Sequence, residues 1–423
     1  MTPELEREAH FDREVRANLR RNYLSHLAHG LLGQTGMRLI NAPTFIPAYV
    51  FALSGSEFAV GAARALQYLG MCLSPIVGAT LIEHRRRVLP VGFVIGALMR
   101  MQILGLALAG IWLAPPGPLA SVFLFLGFFG VFLGIQGVVF NFLVAKVVPV
   151  EQRGLLMGLR NALSGITATG VAVYAGSVLI ESDALGNGYA ATFLLAFVLT
   201  SFGLAMLAFV REPESPRVHE PSAVGSRLRA LPSLLRDDPD FTRYFLTRAL
   251  AVLGRMAVPF YYLTAEARFE LTGANLGELT AAFVLTQSVG NLVWGLAADR
   301  AGFRAVFLAA LTLWMLSGLA LFQVSSIAQL WLVFAGLGAG LGGFQLSAQS
   351  LVLEFGARHD LPLRIAVANS ASEWVAAIGA LLGGALGAFV SYASVFAVAT
   401  CAQVIALAIV AFGVREPRRR PQA

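Results

Sequence analysis

The sequence is short of charge, of lysine and of cysteine, and each shortage narrows what the chain can be. Only 13% of its 423 residues are charged, against 57% that are hydrophobic, and the mean hydropathy is +0.71. A soluble domain carries about a quarter charged residues, so too few polar side chains are present to cover a soluble surface of this size. The two cysteines, Cys72 and Cys401, both fall inside apolar runs; they are too few and too buried for a disulfide framework or a metal cluster. Lys146 is the single lysine and no GxxxxGK[ST] loop occurs, so an ATP-driven pump is not expected. No serine–histidine–acid set stands on a loop, and neither an enzyme nor a cofactor site is expected. The first 23 residues are polar, with as many acids as arginines, and lack the early apolar core of a cleavable signal.

What the sequence has in abundance is long apolar stretches. Runs of twenty or more residues recur from Leu24 to Val414, which marks a polytopic membrane protein. In lipid the backbone must satisfy its own hydrogen bonds, which leaves helices or a closed barrel. The runs are long and lack ten-residue alternation, so an all-α membrane protein is expected. About twelve transmembrane helices fit, near 24–51, 57–82, 89–113, 118–146, 154–180, 189–210, 244–268, 275–298, 304–323, 326–355, 363–389 and 392–414.

The links between them alternate in character. Arginines gather in the tail 1–23, in "EHRRRV" (83–88), "VEQRG" (150–154), 211–243, "DRAGFR" (299–304), "ARHDLPLR" (357–364) and the tail 415–423. The other links, such as "SGSE" (54–57), "APPGP" (114–118) and "ESDALGNG" (181–188), are nearly free of them. Positive loops stay in the cytoplasm, so both termini are expected inside, in an inner (plasma) membrane. The same placement accounts for the net charge of +7 without nucleic acid. The segment 211–243 splits the spans six and six and reads as a cytoplasmic linker carrying a short amphipathic piece, "SRLRALPSLLRDD".

The two sets of six repeat. "FALSGSEF" (51–58) matches "FELTGANL" (269–276), "GATLIEHRRR" (78–87) faces "GLAADRAGFR" (295–304), and "VREPESP" (210–216) returns as "VREPRRR" (414–420). Three matches in one order indicate a duplicated six-helix unit. The expected domains are therefore a half over 24–210 and a half over 244–414, in pseudo-symmetric relation, joined by the linker.

On these residues the sequence resembles the major facilitator superfamily of secondary transporters. "GLAADRAGFR" fits that family's loop signature between its eighth and ninth helices through Gly295, Asp299, Arg300, Gly302 and Arg304, and "GATLIEHRRR" is a degenerate copy with Gly78, Glu83 and Arg87. The resemblance implies alternating access, with these residues as a latch: glycine allows close helix approach, and an acid and arginines at the membrane edge pair across helices or with helix ends. Subfamily marks are weak. "PESPR" (213–217) matches a sugar-porter signature, but paired glutamines are missing from the seventh helix. The arginine of the drug antiporters is absent from the fourth helix, and their proline from the fifth.

Charges inside the spans point to the cargo. Arg38 lies about fourteen residues into the first span, or roughly 20 Å, near the midplane, where a charge persists only facing protein or water. Aligning "GMR" (36–38) with "GRM" (254–256) puts Arg255 one residue from its repeat equivalent. Arg64 and Arg100 are also deep, and Glu373 is the one acid at comparable depth, Glu266 and Glu278 lying nearer the outer surface. An excess of buried positive charge calls for an anion. The resemblance to organophosphate:phosphate antiporters extends to one arginine on each of helices 1 and 7 and no further. Arg38, Arg255, Asn41, Arg64, Asn141 and Gln345 are the expected substrate contacts, and Glu373 the proton-coupling candidate. Pro43 and Pro47 in the first span and Pro259 in the seventh mark breaks near the site. His26 and His29 stand one turn apart without a third ligand, so no metal site is expected. The glycine strings 336–343 and 379–387 read as close helix contacts. A monomer in the lipid bilayer is expected, moving a small organic or phosphorylated anion with protons or by exchange. The alternatives are an exporter of amphipathic compounds and a non-transporting scaffold.

Overall fold

A computed structural model describes residues 3–216, 236, 239–352 and 361–413. Within them, ten helices are long and apolar enough to cross a membrane. Glu57–Ile82, Leu89–Trp112, Gly117–Val147, Val150–Ile180 and Gly188–Phe209 form the second to sixth spans. Gly273–Ala301, Phe303–Ala320, Ile327–Leu351, Ala368–Phe389 and Tyr392–Gly413 form the eighth to twelfth. Local signals fix their starts. Ser56 accepts from the Ala59 amide at 3.3 Å, Asn187 accepts from the Ala190 amide at 3.1 Å, and Thr272 with Asn275 closes a capping box, each satisfying amides that a helix start leaves unpaired. Between the eighth and ninth spans the chain turns at Gly302, whose φ of 85° suits glycine.

Among the described residues, the first and seventh spans are broken into separate helical pieces that change direction or type near mid-span. The first runs as Leu19–His29, a π-helical turn Gly30–Gln34, Thr35–Asn41 and, after an extended Ala42 (ψ 151°), Phe45–Ser54. Pro43 has no N–H to give to the Leu39 carbonyl, so the helix stops there. Pro47 sits in the first turn of Phe45–Ser54 and interrupts nothing; of the two prolines expected to break this span, only the first stands at the break. The seventh span runs as Pro239–Leu253, a 3₁₀ turn Gly254–Ala257 and Val258–Phe269. Pro259 cannot donate to the Arg255 carbonyl, and the Val258 amide takes that carbonyl instead, which tightens the turn. The expected surface helix within 226–238 lies outside the described residues apart from residue 236, as do 357–360 and the tail 415–423. The N-terminal segment is helical over Pro3–Ala17.

The spans pack as an all-helical bundle in which the glycine strings do as expected. Gly338 lies against the Phe283 backbone of the eighth span, and Gly384 against Gly61 of the second. Across the halves, the second span packs on the eleventh and the fifth on the eighth. The contacts that carry this seal stand toward the arginine-poor face. Gly61 meets Gly384, Gly176 meets Gly273 and Gly277, and Thr44 bonds Thr280 at 2.5 Å. At the rim, Tyr392 donates to Glu57 at 3.0 Å, and the Ala274 amide donates to Glu181 at 3.1 Å.

On the arginine-rich face the named bonds stay within one half. Lys146 is buried there, donating to Glu212 at 2.8 Å and to the Arg86 carbonyl at 2.5 Å. The same Glu212 carboxylate accepts from the Val88 and Leu89 amides at 2.7 and 2.9 Å, capping the third span. Asn22 pairs with the Arg211 backbone in both directions, at 3.0 and 2.8 Å. The stretch 211–216, expected as the start of a linker, thus ties the first, third and fourth spans together.

Candidate functional site

Between the halves, at the level of the two helix breaks, lies a cavity of about 440 Å³. Its charged wall is Arg38, Arg64 and Arg255, and its polar wall includes Asn41, Gln67, Asn161, Gln287, Asn291 and Gln345. Met37, Met71, Leu133 and Phe283 make an apolar side. The two arginines of the broken spans reach in opposite directions across the halves. Arg38, from the first span, donates to Gln287 of the eighth at 3.3 Å. Arg255, from the 3₁₀ turn of the seventh, lays its guanidinium 4.3 Å from the ring centre of Tyr68 in the second, a cation–π contact. The pair respects the repeat: one half's first helix meets the other half's second.

Arg255 also donates to Glu373 at 3.3 Å. Glu373 is not among the residues lining the cavity, and its second oxygen has no hydrogen-bond partner among the described residues. Arg64 is 5% exposed and donates to the Ala42 carbonyl at 2.7 Å and to Gln67 at 2.9 Å. Gln67 in turn donates to Asn41 at 2.9 Å, and Asn41 to the Met37 carbonyl at 3.0 Å. Those four bonds hold the break of the first span, since Ala42 turns its carbonyl out of the helix.

Five of the six expected contacts therefore meet in one cavity. Asn141 does not; it is exposed on the fourth span and outside the cavity wall. Arg100 donates to the Thr200 and Gly96 carbonyls at 2.6 and 2.7 Å and braces the third span on the sixth. His26 is fully buried with both ring nitrogens unpartnered among the described residues, and His29 meets Arg160 at 3.2 Å. Sequence reasoning missed Arg160, which is 1% exposed with Phe140 under its guanidinium, and Arg248, which donates to Asn369 at 2.8 Å. It also missed Gln67 and Tyr68, which follow Arg64 at helical spacings of three and four and could have been found that way.

The loop-signature residues are spread out. Gly78 packs closely on Ile135, whereas a Cβ at Gly295 would meet open space. Asp299 and Arg300 are exposed. Arg304 donates to the Val410 and Ala411 carbonyls at 3.2 and 2.7 Å, capping the end of the twelfth span. Arg87 pairs with Glu214 at 3.4 Å, and Glu83 ends the second span. A larger cleft of about 680 Å³ opens on the arginine-rich face between the N-terminal helix and 210–216. It belongs to one half only, so movement of the halves cannot carry its contents across.

The chain matches the family model described as Major Facilitator Superfamily over residues 30–265 and 244–423. A crystal structure of the nucleoside transporter NupG is similar with a TM-score of 0.67 at 12% identity, covering 93% of this chain and 99% of that one. A D-xylose-proton symporter is similar with a TM-score of 0.73 at 13% identity, covering 95% and 99%. At such identities the likeness speaks for the fold alone. No curated protein matches the chain in sequence.

Proposed function

The chain belongs to the major facilitator superfamily and is a multi-pass membrane transporter, and we propose that its cargo is a small organic or phosphorylated anion carried by alternating access. One observation supports this above all: three guanidiniums from both halves line one cavity, and among the described residues the only carboxylate paired with them, Glu373, serves Arg255 alone. Arg38 has an amide for a partner. A guanidinium fork suits carboxylates and phosphates, and a buried charge without an anion is costly. Arg38 and Arg255 then clamp the anion from opposite halves, with Asn41, Gln345 and the apolar wall orienting its body.

The arginine-rich face is cytoplasmic in this proposal and both termini lie inside an inner membrane, by the charge of the loops. The described conformation is sealed toward the other, outer face. Glu373 is the coupling residue. With a proton on Glu373, Arg255 is released to the anion, so proton and anion travel together. Glu373→Gln is expected to lose accumulation driven by a pH gradient in proteoliposomes while counterflow exchange continues. Gradient-driven uptake surviving in that variant would leave Glu373 a structural partner of Arg255 and make exchange the mechanism. The absence of saturable flux for any anion in the parent protein would favour the scaffold alternative.

Asp299 and Arg300 form a latch that engages when the cytoplasmic side closes, which fits their exposure here; Gly295, facing open space, gives room for that approach. Asp299→Asn should favour the inward-open state and slow transport with expression nearly intact. Cysteines at the two cavity mouths would report this as more labelling from inside and less from outside. Unchanged labelling at both mouths would remove the latch.

A further inference from the structure

We propose that the cargo carries two negative charges and that Arg64 reads the second of them. This rests on the anionic cargo proposed above and narrows its class to a dicarboxylate or a phosphate monoester.

The charges that face the cavity are of one sign. Its ionisable lining side chains are three cations, Arg38, Arg64 and Arg255, with Tyr68 beside them. Glu373 pairs with one of them, Arg255, at 3.3 Å. Arg38 and Arg64 meet only amide and carbonyl oxygens among the described residues. Dipoles of this kind ease the burial of a cation but do not cancel its charge. With Glu373 paired to Arg255, a singly charged cargo leaves one guanidinium uncompensated in the closed, dry state through which the protein must pass and a doubly charged one compensates both; a proton on Glu373 only raises the demand for negative charge.

Arg64 is built to take a ligand. Its guanidinium has five N–H groups, and the bonds to Ala42 and Gln67 use one from each terminal nitrogen. The rest of the fork is left for the cavity it lines. The bonds it does make fix its plane, since Gln67 is held by Asn41 and Asn41 by the Met37 carbonyl. A fork oriented in advance loses little freedom when an anion arrives. The other deep arginines offer nothing comparable: Arg100 and Arg160 stand inside the N-terminal half, Arg248 pairs with Asn369, and none lines the cavity.

The competing view is that Arg64 merely staples the break of the first span. The test therefore needs a readout that stapling would not move, and discrimination between two cargos of the same body supplies it. Purified full-length protein is titrated with succinate and with its monoamide, succinamate, and separately with glycerol 3-phosphate and its methyl phosphodiester. The expected result is dianion binding tighter than monoanion binding by roughly ten- to a hundredfold, the range of one charge-assisted contact. In Arg64→Gln the dianion should weaken far more than the monoanion, bringing the ratio toward one, with Arg64→Lys in between. Equal affinities in the parent protein would overturn the double charge and leave the anion clamp standing. An unchanged ratio in Arg64→Gln, with only a lower melting temperature, would return Arg64 to the staple and overturn its role here. No binding of any of the four would end the anionic cargo itself.

Discussion

Purified Arg38→Gln and Arg255→Gln should each bind an anionic cargo about ten- to a hundredfold more weakly than the parent, because each charge-assisted hydrogen bond is worth roughly 1.5–3 kcal/mol. The two variants should part company in stability. Arg38 gives up only a 3.3 Å bond to an amide, and Gln287 can find water in an open cavity. Removing Arg255 strands Glu373, whose other oxygen is already unpartnered among the described residues, and leaves a half-buried carboxylate with no cation. Arg255→Gln should therefore melt lower, while Arg38→Gln melts near the parent. Arg38→Lys keeps the charge and loses the fork, so it should recover little of the affinity. Normal anion affinity in all three would end the clamp, whatever the melting temperatures show.

The parts of this site legible in the sequence are those where a local rule is broken in plain view. A charge in an apolar run is visible as Arg38, and a proline in a helix as Pro43 or Pro259. Alignment of the repeats puts the two arginines at corresponding places without any coordinates. The spans were legible for the same reason, since apolar length and arginine-rich links are one-dimensional signals. What was not legible depends on helix rotation and on partners distant in sequence. The fourth span is apolar all round, so no stripe phases it, and Asn141 could not be assigned a face; it turned out to lie off the cavity. Arg64 looked like one more deep cation, and only the extended Ala42 reveals what its fork holds. Arg304 reads as a latch residue by its motif, yet in this conformation it caps a helix more than a hundred residues away. Glu212 reads as linker, and its carboxylate closes a buried ion pair with the single lysine. In each of these cases the residue type was visible and the partner was not.

The largest loss of transport is expected from filling the two glycine contacts of the outer seal. A Cβ at Gly61 would stand 2.7 Å from the Cα of Gly384, and one at Gly176 would stand 2.6 Å from the Cα of Gly277. The obstacles are backbone atoms of the opposite half, which no rotamer change can move aside. Leucine at either place has to push the second span off the eleventh, or the fifth off the eighth. The protein is then left in conformations open toward the arginine-poor face. Nothing in the cavity is altered, so Gly61→Leu and Gly176→Leu should bind anion nearly as the parent does while uptake and exchange fall to background. The shift should show in labelling. Thr44 is fully buried and bonded to Thr280 in the sealed state. A Thr44→Cys reporter should be inert in the parent when sealed, and reactive from the arginine-poor side in both leucine variants. Gly170 supplies the control, because a Cβ there meets nothing within 4 Å; Gly170→Leu should keep both transport and the parent's labelling. If Gly61→Leu and Gly176→Leu transport normally, these helix pairs do not have to meet during the cycle, and the conformation described here is not one of its obligatory states.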